Sequence, residues 1–220
     1  MDLDPEEREL RGELARIAIL SYQRGLVSGS GGNVSARIPG RNEVLITPTG
    51  VSLGMTTVEN IVKTDLYATP LGPATSHRPS KETGFHCAVY RSRPEVNAVV
   101  HVHPPHATAF SLKNRELPLV TVSASVNLKL VPCIEVALSG SVELRSYVEQ
   151  AFVQHPGIRA VLMRAHGIIA VGADLVSAYN VADLVEDTAK IAYLSASLGI
   201  PVEESVEVAF RPVPEGKPKL

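Results

Sequence analysis

Tryptophan is absent from this 220-residue chain, and four phenylalanines with six tyrosines are all that phenyl and phenol rings contribute. Any core it builds must therefore be aliphatic. Cysteine is nearly as scarce: Cys87 and Cys133 are the only two, both in apolar segments and without metal-binding or redox spacing. That excludes a disulfide-stapled secreted scaffold and points to free thiols in a reducing cytoplasm. Neither sign of charge is in excess, since 21 Lys and Arg stand against 23 Asp and Glu for a net charge of -2. Nothing here suits nucleic acid or an anionic membrane surface. No apolar run reaches membrane-spanning length, and the opening Met1-Asp2-Leu3-Asp4-Pro5-Glu6-Glu7 lacks the basic-then-apolar pattern of a secretory signal. Repeats and interdomain linkers are missing too. The expectation is one unit over residues 1–220, with a loose polar tail from about residue 211.

What is present reads as interleaved helices and short strands. Asp4-Pro5-Glu6-Glu7 is a helix start, with a cap, a proline at the first helical position and a glutamate three residues after the cap. Leu10, Leu14, Ile17 and Ser21 follow at helical spacing, and Gly25 ends the element. Val44-Leu45-Ile46-Thr47 reads as a strand running into the turn Pro48-Thr49-Gly50. Residues 64–77 alternate weakly around Pro70 and Pro73, as strands joined by a hairpin loop do. Ser80 is placed to cap a helix from Lys81 to about Arg91, with Glu82 in its first turn. Residues 106–112 and 141–154 have helical spacing; residues 119–125 and 130–137 look strand-like. Residues 160–165 and 168–171 are apolar strands broken at His166-Gly167, and 173–198 is a long helix stopped by Gly199. Short strands and hairpin turns favour a mixed α/β (α+β) fold whose largely antiparallel central sheet is packed between helix layers.

The chemistry concentrates in Val99-Val100-His101-Val102-His103-Pro104-Pro105. Side chains alternate along a strand, so His101 and His103 share a face, and the prolines place them at the strand's end. A His-x-His pair alone does not decide for a metal. A third histidine, His166, stands at a strand break where the following glycine lets the chain turn and aim the ring. Three imidazoles with an open position describe a catalytic zinc, and Glu82 would add a carboxylate for proton transfer or a fourth ligand. His86 is expected to pack on its helix, and His106 to support the site or the fold. A glycine run such as Gly29-Ser30-Gly31-Gly32, taken alone, reads as a plain tight turn.

The order of Gly31-Gly32-Asn33-Val34-Ser35, Ile46-Thr47-Pro48-Thr49-Gly50, Pro79-Ser80-Lys81-Glu82, Ala98-Val99-Val100-His101-Val102-His103 and His166-Gly167 resembles the class II aldolase and adducin family. The resemblance runs from about Leu10 to Gly199, and it is specific because several separated motifs agree. It implies that His101, His103 and His166 hold one divalent metal per subunit, usually Zn2+, with Mn2+ or Co2+ as alternatives. Glu82 would be the acid/base residue and a metal ligand before substrate arrives. Gly32, Asn33, Thr49, Gly50, Ser80 and Lys81 would form a phosphate pocket, in keeping with amides, hydroxyls and an ammonium facing an anion at a helix start. The family fold is a largely antiparallel sheet between helix layers, commonly assembled as a C4 tetramer. The implied reaction cleaves or forms a carbon–carbon bond in a small phosphorylated hydroxy-ketone through a zinc-stabilised enediolate.

The match departs from the family's fuculose-phosphate aldolases in two respects. Lys81 stands where they carry serine, and Pro-Ser-Lys-Glu is more similar to the family's 3-oxo-tetronate 4-phosphate decarboxylases, where an added cation would meet an acid group. Their two catalytic tyrosines have no counterpart in Thr121-Val122-Ser123-Ala124 or after Phe210. Aldolase is the leading expectation and decarboxylase the alternative. A sugar-phosphate 4-epimerase stands lower because that branch carries aspartate in place of Glu82. An adducin-like module without catalysis stands lower still because every ligand is retained. A Schiff base on Lys81 is the last alternative.

Overall fold

The computed structural model describes residues 4–72 and 77–202. The loose tail expected from about residue 211 lies outside the described residues, as does part of the hairpin stretch between residues 64 and 77. Among the described residues, six α-helices and seven strands follow one another as α1 (Pro5–Gln23), β1 (Asn33–Arg37), β2 (Glu43–Ile46), β3 (Val62–Asp65), α2 (Thr83–Ser92), β4 (Ala98–Val102), α3 (Pro105–Ser111), α4 (Val122–Leu128), β5 (Cys133–Ile134), α5 (Val142–Gln154), β6 (Ala160–Met163), β7 (Gly167–Gly172) and α6 (Leu175–Ser197).

The strands form one sheet in the order β3-β2-β1-β4-β7-β6-β5. Every pairing is antiparallel except β5 with β6, so the sheet is largely antiparallel as expected. Alternation along the strands divides two aliphatic cores. Val34, Ala36, Val100, Val102, Ile168 and Ala170 face one way, with Leu14, Leu175, Ala182 and Val185 of α1 and α6 packed over them. Val99, Val161, Ile169 and Val171 face the other way, against Phe85 and Val89 of α2 and Val148 and Phe152 of α5. The sheet is thus covered on both faces.

Several expected boundaries hold. Asp4 accepts a hydrogen bond from the Glu6 amide at the start of α1. Ser141 caps α5 and Asp174 caps α6, the latter in a reciprocal box with Ser177. Three expectations are corrected. Residues 119–125 are not a strand: Thr121 caps helix α4, with Ala124 and Leu128 buried one turn apart and Val122 and Val126 exposed. The β-branched valines imitated strand alternation, but the buried pair is spaced for a helix. Residues 130–137 contribute only the short edge pairing Cys133–Ile134. The helix expected from Lys81 begins at Thr83 instead; the Ser80 hydroxyl takes the Glu82 amide, and the Thr83 hydroxyl donates to the Ser80 carbonyl, in a preceding turn.

Candidate active site

β4 lies in the middle of the sheet and carries His101, which pairs with Asn33 of β1 on one side and Ile169 of β7 on the other. Beyond its end, His103 continues on the same face. His166 arrives from the β6–β7 loop. The three rings gather with centroids 4.8, 4.9 and 5.0 Å apart. Their ligand atoms all lie within 4.8 Å of one another, the His101 and His103 Nε2 atoms within 3.0 Å. Residues 65 positions apart therefore meet because β4 and β7 are neighbours in the sheet.

Two local devices aim these rings. His101 Nδ1–H donates to the Ile168 carbonyl at 2.9 Å, which orients the ring and turns Nε2 toward the cluster. In the β6–β7 loop the left-handed residue is Ala165, at φ 56°, and its amide donates to the Ser111 hydroxyl at 3.0 Å. The turn expected at Gly167 is thus made one residue before His166. Gly167 answers a different need: a Cβ there would lie 2.4 Å from the Val102 carbonyl oxygen. Glycine is what lets β7 close on the His103 strand.

The glycine run is also more than a turn. A Cβ on Gly31 would lie 2.8 Å from His103 Nδ1, and one on Gly32 would lie 2.8 Å from the His101 carbonyl, at φ +71°. The chain before β1 is pressed against the histidine strand.

Glu82 caps α2 but makes no side-chain bond to that helix. Its carboxylate turns instead to the histidines, with Oε2 3.1 Å from His101 Nε2 and Oε1 3.4 Å from His166 Nε2. Asn33 Nδ2 donates to Oε2 at 2.9 Å, and the Ser139 hydroxyl donates to Oε1 at 2.9 Å. Glu82 is 5% exposed. Burial by itself pushes its carboxyl up, but the His101 ring, the Asn33 amide and His166 together hold it far below the usual carboxylate range. Burial, reinforced by the neighbouring His101, pushes His103 down to about 3 and His166 below its ordinary value. These two rings are neutral bases near pH 7. Three imidazoles converging beside a carboxylate are the donor set a divalent cation such as zinc takes, so the residues fit such a group.

The remaining expected site residues flank this cluster. Gly32 and Asn33 run into β1 alongside His101. Thr49 and Gly50 turn after β2, where the Thr49 amide bonds the Arg78 carbonyl and a bridge joins Pro48 to Pro79. That bridge brings Ser80, which is buried, and Lys81, which is exposed, to the same end of the sheet. Lys81 and Glu82 also line a small recess with Gly84, Ser141 and Arg145.

His106 does not join the cluster; its Nδ1 meets Glu186 at 2.7 Å, and that carboxylate also takes the amides opening α3. His86 does stack on Phe85 of its own helix, but it also reaches across to β1. Sequence reasoning missed that reach, although Glu82, His86 and Tyr90 stand at i, i+4 and i+8. Ser139 was missed too, and no motif marks it.

Comparison with known proteins agrees with this geometry. The family model of the class II aldolase and adducin N-terminal domain matches residues 12–193. An L-fuculose phosphate aldolase of Methanococcus maripaludis is 35% identical over 186 residues, covering 84% of this chain and 97% of the relative. A 3-oxo-tetronate 4-phosphate decarboxylase of Haemophilus influenzae is 32% identical over 193 residues, covering 86% and 87%. Among solved structures, an L-fuculose 1-phosphate aldolase superposes with a TM-score of 0.81 at 30% identity, covering 88% of this chain and 89% of that one.

Proposed function

The chain belongs to the class II aldolase and adducin family, and from that premise we propose that it is a divalent-metal-dependent carbon–carbon lyase acting on a small phosphorylated hydroxy-ketone such as a ketose 1-phosphate. The observation carrying this reading is the convergence of His101, His103 and His166 on one point beside the ionised Glu82. These residues would hold the cation, Zn2+ first and Mn2+ or Co2+ as alternatives, with Glu82 as a further ligand until substrate arrives. When bound, the cation supplies Lewis acidity to the carbonyl and adjacent hydroxyl oxygens of the substrate.

The chain's own residues do the rest. Glu82 serves the carbon that carries the breaking or forming bond: ionised, it removes the proton there in the bond-forming direction, and, protonated, it returns that proton to the same carbon after cleavage. Gly32, Thr49, Gly50, Ser80 and Lys81 hold the phosphate through amides, hydroxyls and the ammonium, with Asn33 adding the amide hydrogen that Glu82 does not use. We place the enzyme in the cytoplasm, as a C4 homotetramer of the family type; no described helix is long and apolar enough to cross a membrane.

A second reading, decarboxylation of a 3-oxo-tetronate 4-phosphate, is favoured by one observation. Lys81 and Arg145 line the same recess as Glu82, two cations where a substrate carboxylate would sit. The experiment offers zinc-loaded protein a panel of ketose 1-phosphates and a panel of 3-oxo-tetronate 4-phosphates, following ketose cleavage and carbon dioxide release. Turnover of the first supports aldolase and of the second decarboxylase. Loaded, folded protein that turns over neither removes the lyase assignment.

A further inference from the structure

From Glu82 a file of buried polar groups runs between α2 and β1. Asn33 and Ser35 stand two apart on β1 and face α2; His86 and Tyr90 stand one and two turns after Glu82 and face β1. Tyr90 Oη lies 2.7 Å from Ser35 Oγ, and Ser35 Oγ lies 2.7 Å from His86 Nδ1. His86 Nε2 is 2.5 Å from Asn33 Oδ1, and Asn33 Nδ2 donates to Glu82 Oε2 at 2.9 Å. Ser35 and His86 are 0% exposed, and Tyr90 and Asn33 are buried with them.

The carboxylate end fixes the direction of the whole file. A carboxylate only accepts, so Asn33 must turn Nδ2 toward Glu82 and Oδ1 toward His86. That oxygen also only accepts, so the His86 hydrogen is on Nε2. Burial holds His86 neutral, which leaves Nδ1 bare to accept from Ser35. Ser35 then accepts from Tyr90. The opposite tautomer of His86 would reverse Asn33 and set its carbonyl oxygen against the Glu82 carboxylate.

We propose that His86 is a positioning residue for Glu82: by donating from Nε2 it fixes the rotation of the Asn33 carboxamide, which anchors Oε2 and leaves Oε1 as the oxygen that moves protons. The inference rests on the acid/base role given to Glu82 above. Oε1 is the freer oxygen because Ser139, its hydroxyl donor, lies in an exposed loop position.

The test joins nitrogen-15 NMR of labelled histidines to kinetics. In wild-type protein, without cation and zinc-loaded, His86 should show a protonated Nε2 and a bare Nδ1; Ser35→Ala should leave the hydrogen on Nε2, because Asn33 Oδ1 still requires it there. On whichever substrate the wild type turns over, His86→Leu should lower kcat by about a hundredfold, the scale of a misplaced catalytic group. KM and bound zinc should stay within about threefold, and His86→Gln, which donates from the same place, should recover kcat to within about fivefold of wild type. A wild-type Nδ1–H tautomer overturns the inference. So do Leu and Gln variants that lose activity equally and only in proportion to their folded fraction. A wild type inert toward both substrate panels removes the lyase reading instead, and the tautomer then decides the role of His86 by itself.

Discussion

Two buried clusters of ionisable groups, one at α1 and one at β4, follow opposite rules. At α1, Glu7 is 3% exposed, and Arg11 Nε and Nη2 meet its Oε1 at 2.9 and 2.8 Å. Lys63 meets Oε2 at 2.9 Å, and Arg11 Nη1 adds the Val58 and Ile61 carbonyls at 3.2 and 2.7 Å. Burial pushes the Glu7 carboxyl up, but the bonds from Lys63 and Arg11 leave it below its ordinary value. Each charge there is answered by the protein itself. At β4, a carboxylate meets three imidazoles whose ring nitrogens point at one another. The first cluster is closed and fixes α1 to the sheet; the second is organised around something the chain does not provide. Burial of charge does not mark a site. Convergence of lone pairs does.

The contrast can be broken most sharply at its open end. His103→Ala should reduce bound zinc and lower turnover by more than about a thousandfold, because two imidazoles hold zinc poorly. Without cation, the same variant should melt no lower than wild type, since the protein supplied that ring with no strong partner. Metal analysis and thermal denaturation check both halves. Normal zinc content with normal turnover would dismantle the site.

At the closed end the expectation is reversed. Glu7→Ala leaves the Arg11 guanidinium buried without its carboxylate, which costs about 3 kcal/mol of stability in urea titration. Turnover per folded molecule should not change. Next in size, Glu82→Gln should keep the fold and most of the zinc but slow turnover about a hundredfold, roughly 2.7 kcal/mol in the barrier. A rate within twofold of wild type, which is about 0.4 kcal/mol, would free Glu82 of the proton-transfer role.

The smallest effect is a pH slope. The folded His86 has its pKa lowered by burial to about 3, against 6.5 for an unperturbed imidazole. Between those values the unfolded chain binds the extra proton, so stability is complete above about pH 6.5 and is lost as pH falls toward 3. Cation-free wild type should lose up to about 1.4 kcal/mol per pH unit more than His86→Gln across that window. Parallel slopes for the two proteins would show that His86 is not held neutral by the fold.

Much of this was legible before any coordinates. His101 and His103 were placed on one strand face by their spacing, and β4 carries them there. The cap of α1 at Asp4 was read directly, and α5 and α6 lie within the helical spans 141–154 and 173–198. The reading faltered where one pattern serves two structures: Val120 and Val122 imitated a strand, and Gly167 imitated a turn residue while the left-handed position fell on Ala165. His86 was read as packing because a buried ring's partners on another strand leave no trace in spacing along its own helix.

Local chemistry therefore determined most of the elements, the shared face of His101 and His103, the aliphatic core and the presence of a carboxylate at the start of α2. The resemblance anticipated His166 and Glu82 beside them, but the tertiary structure alone decided how Glu82 turns from its helix to the rings and that Asn33 and His86 stand behind it. The reason is range. Side-chain alternation and capping act over a few residues, whereas these meetings depend on which strands the sheet sets side by side, here β1, β4 and β7.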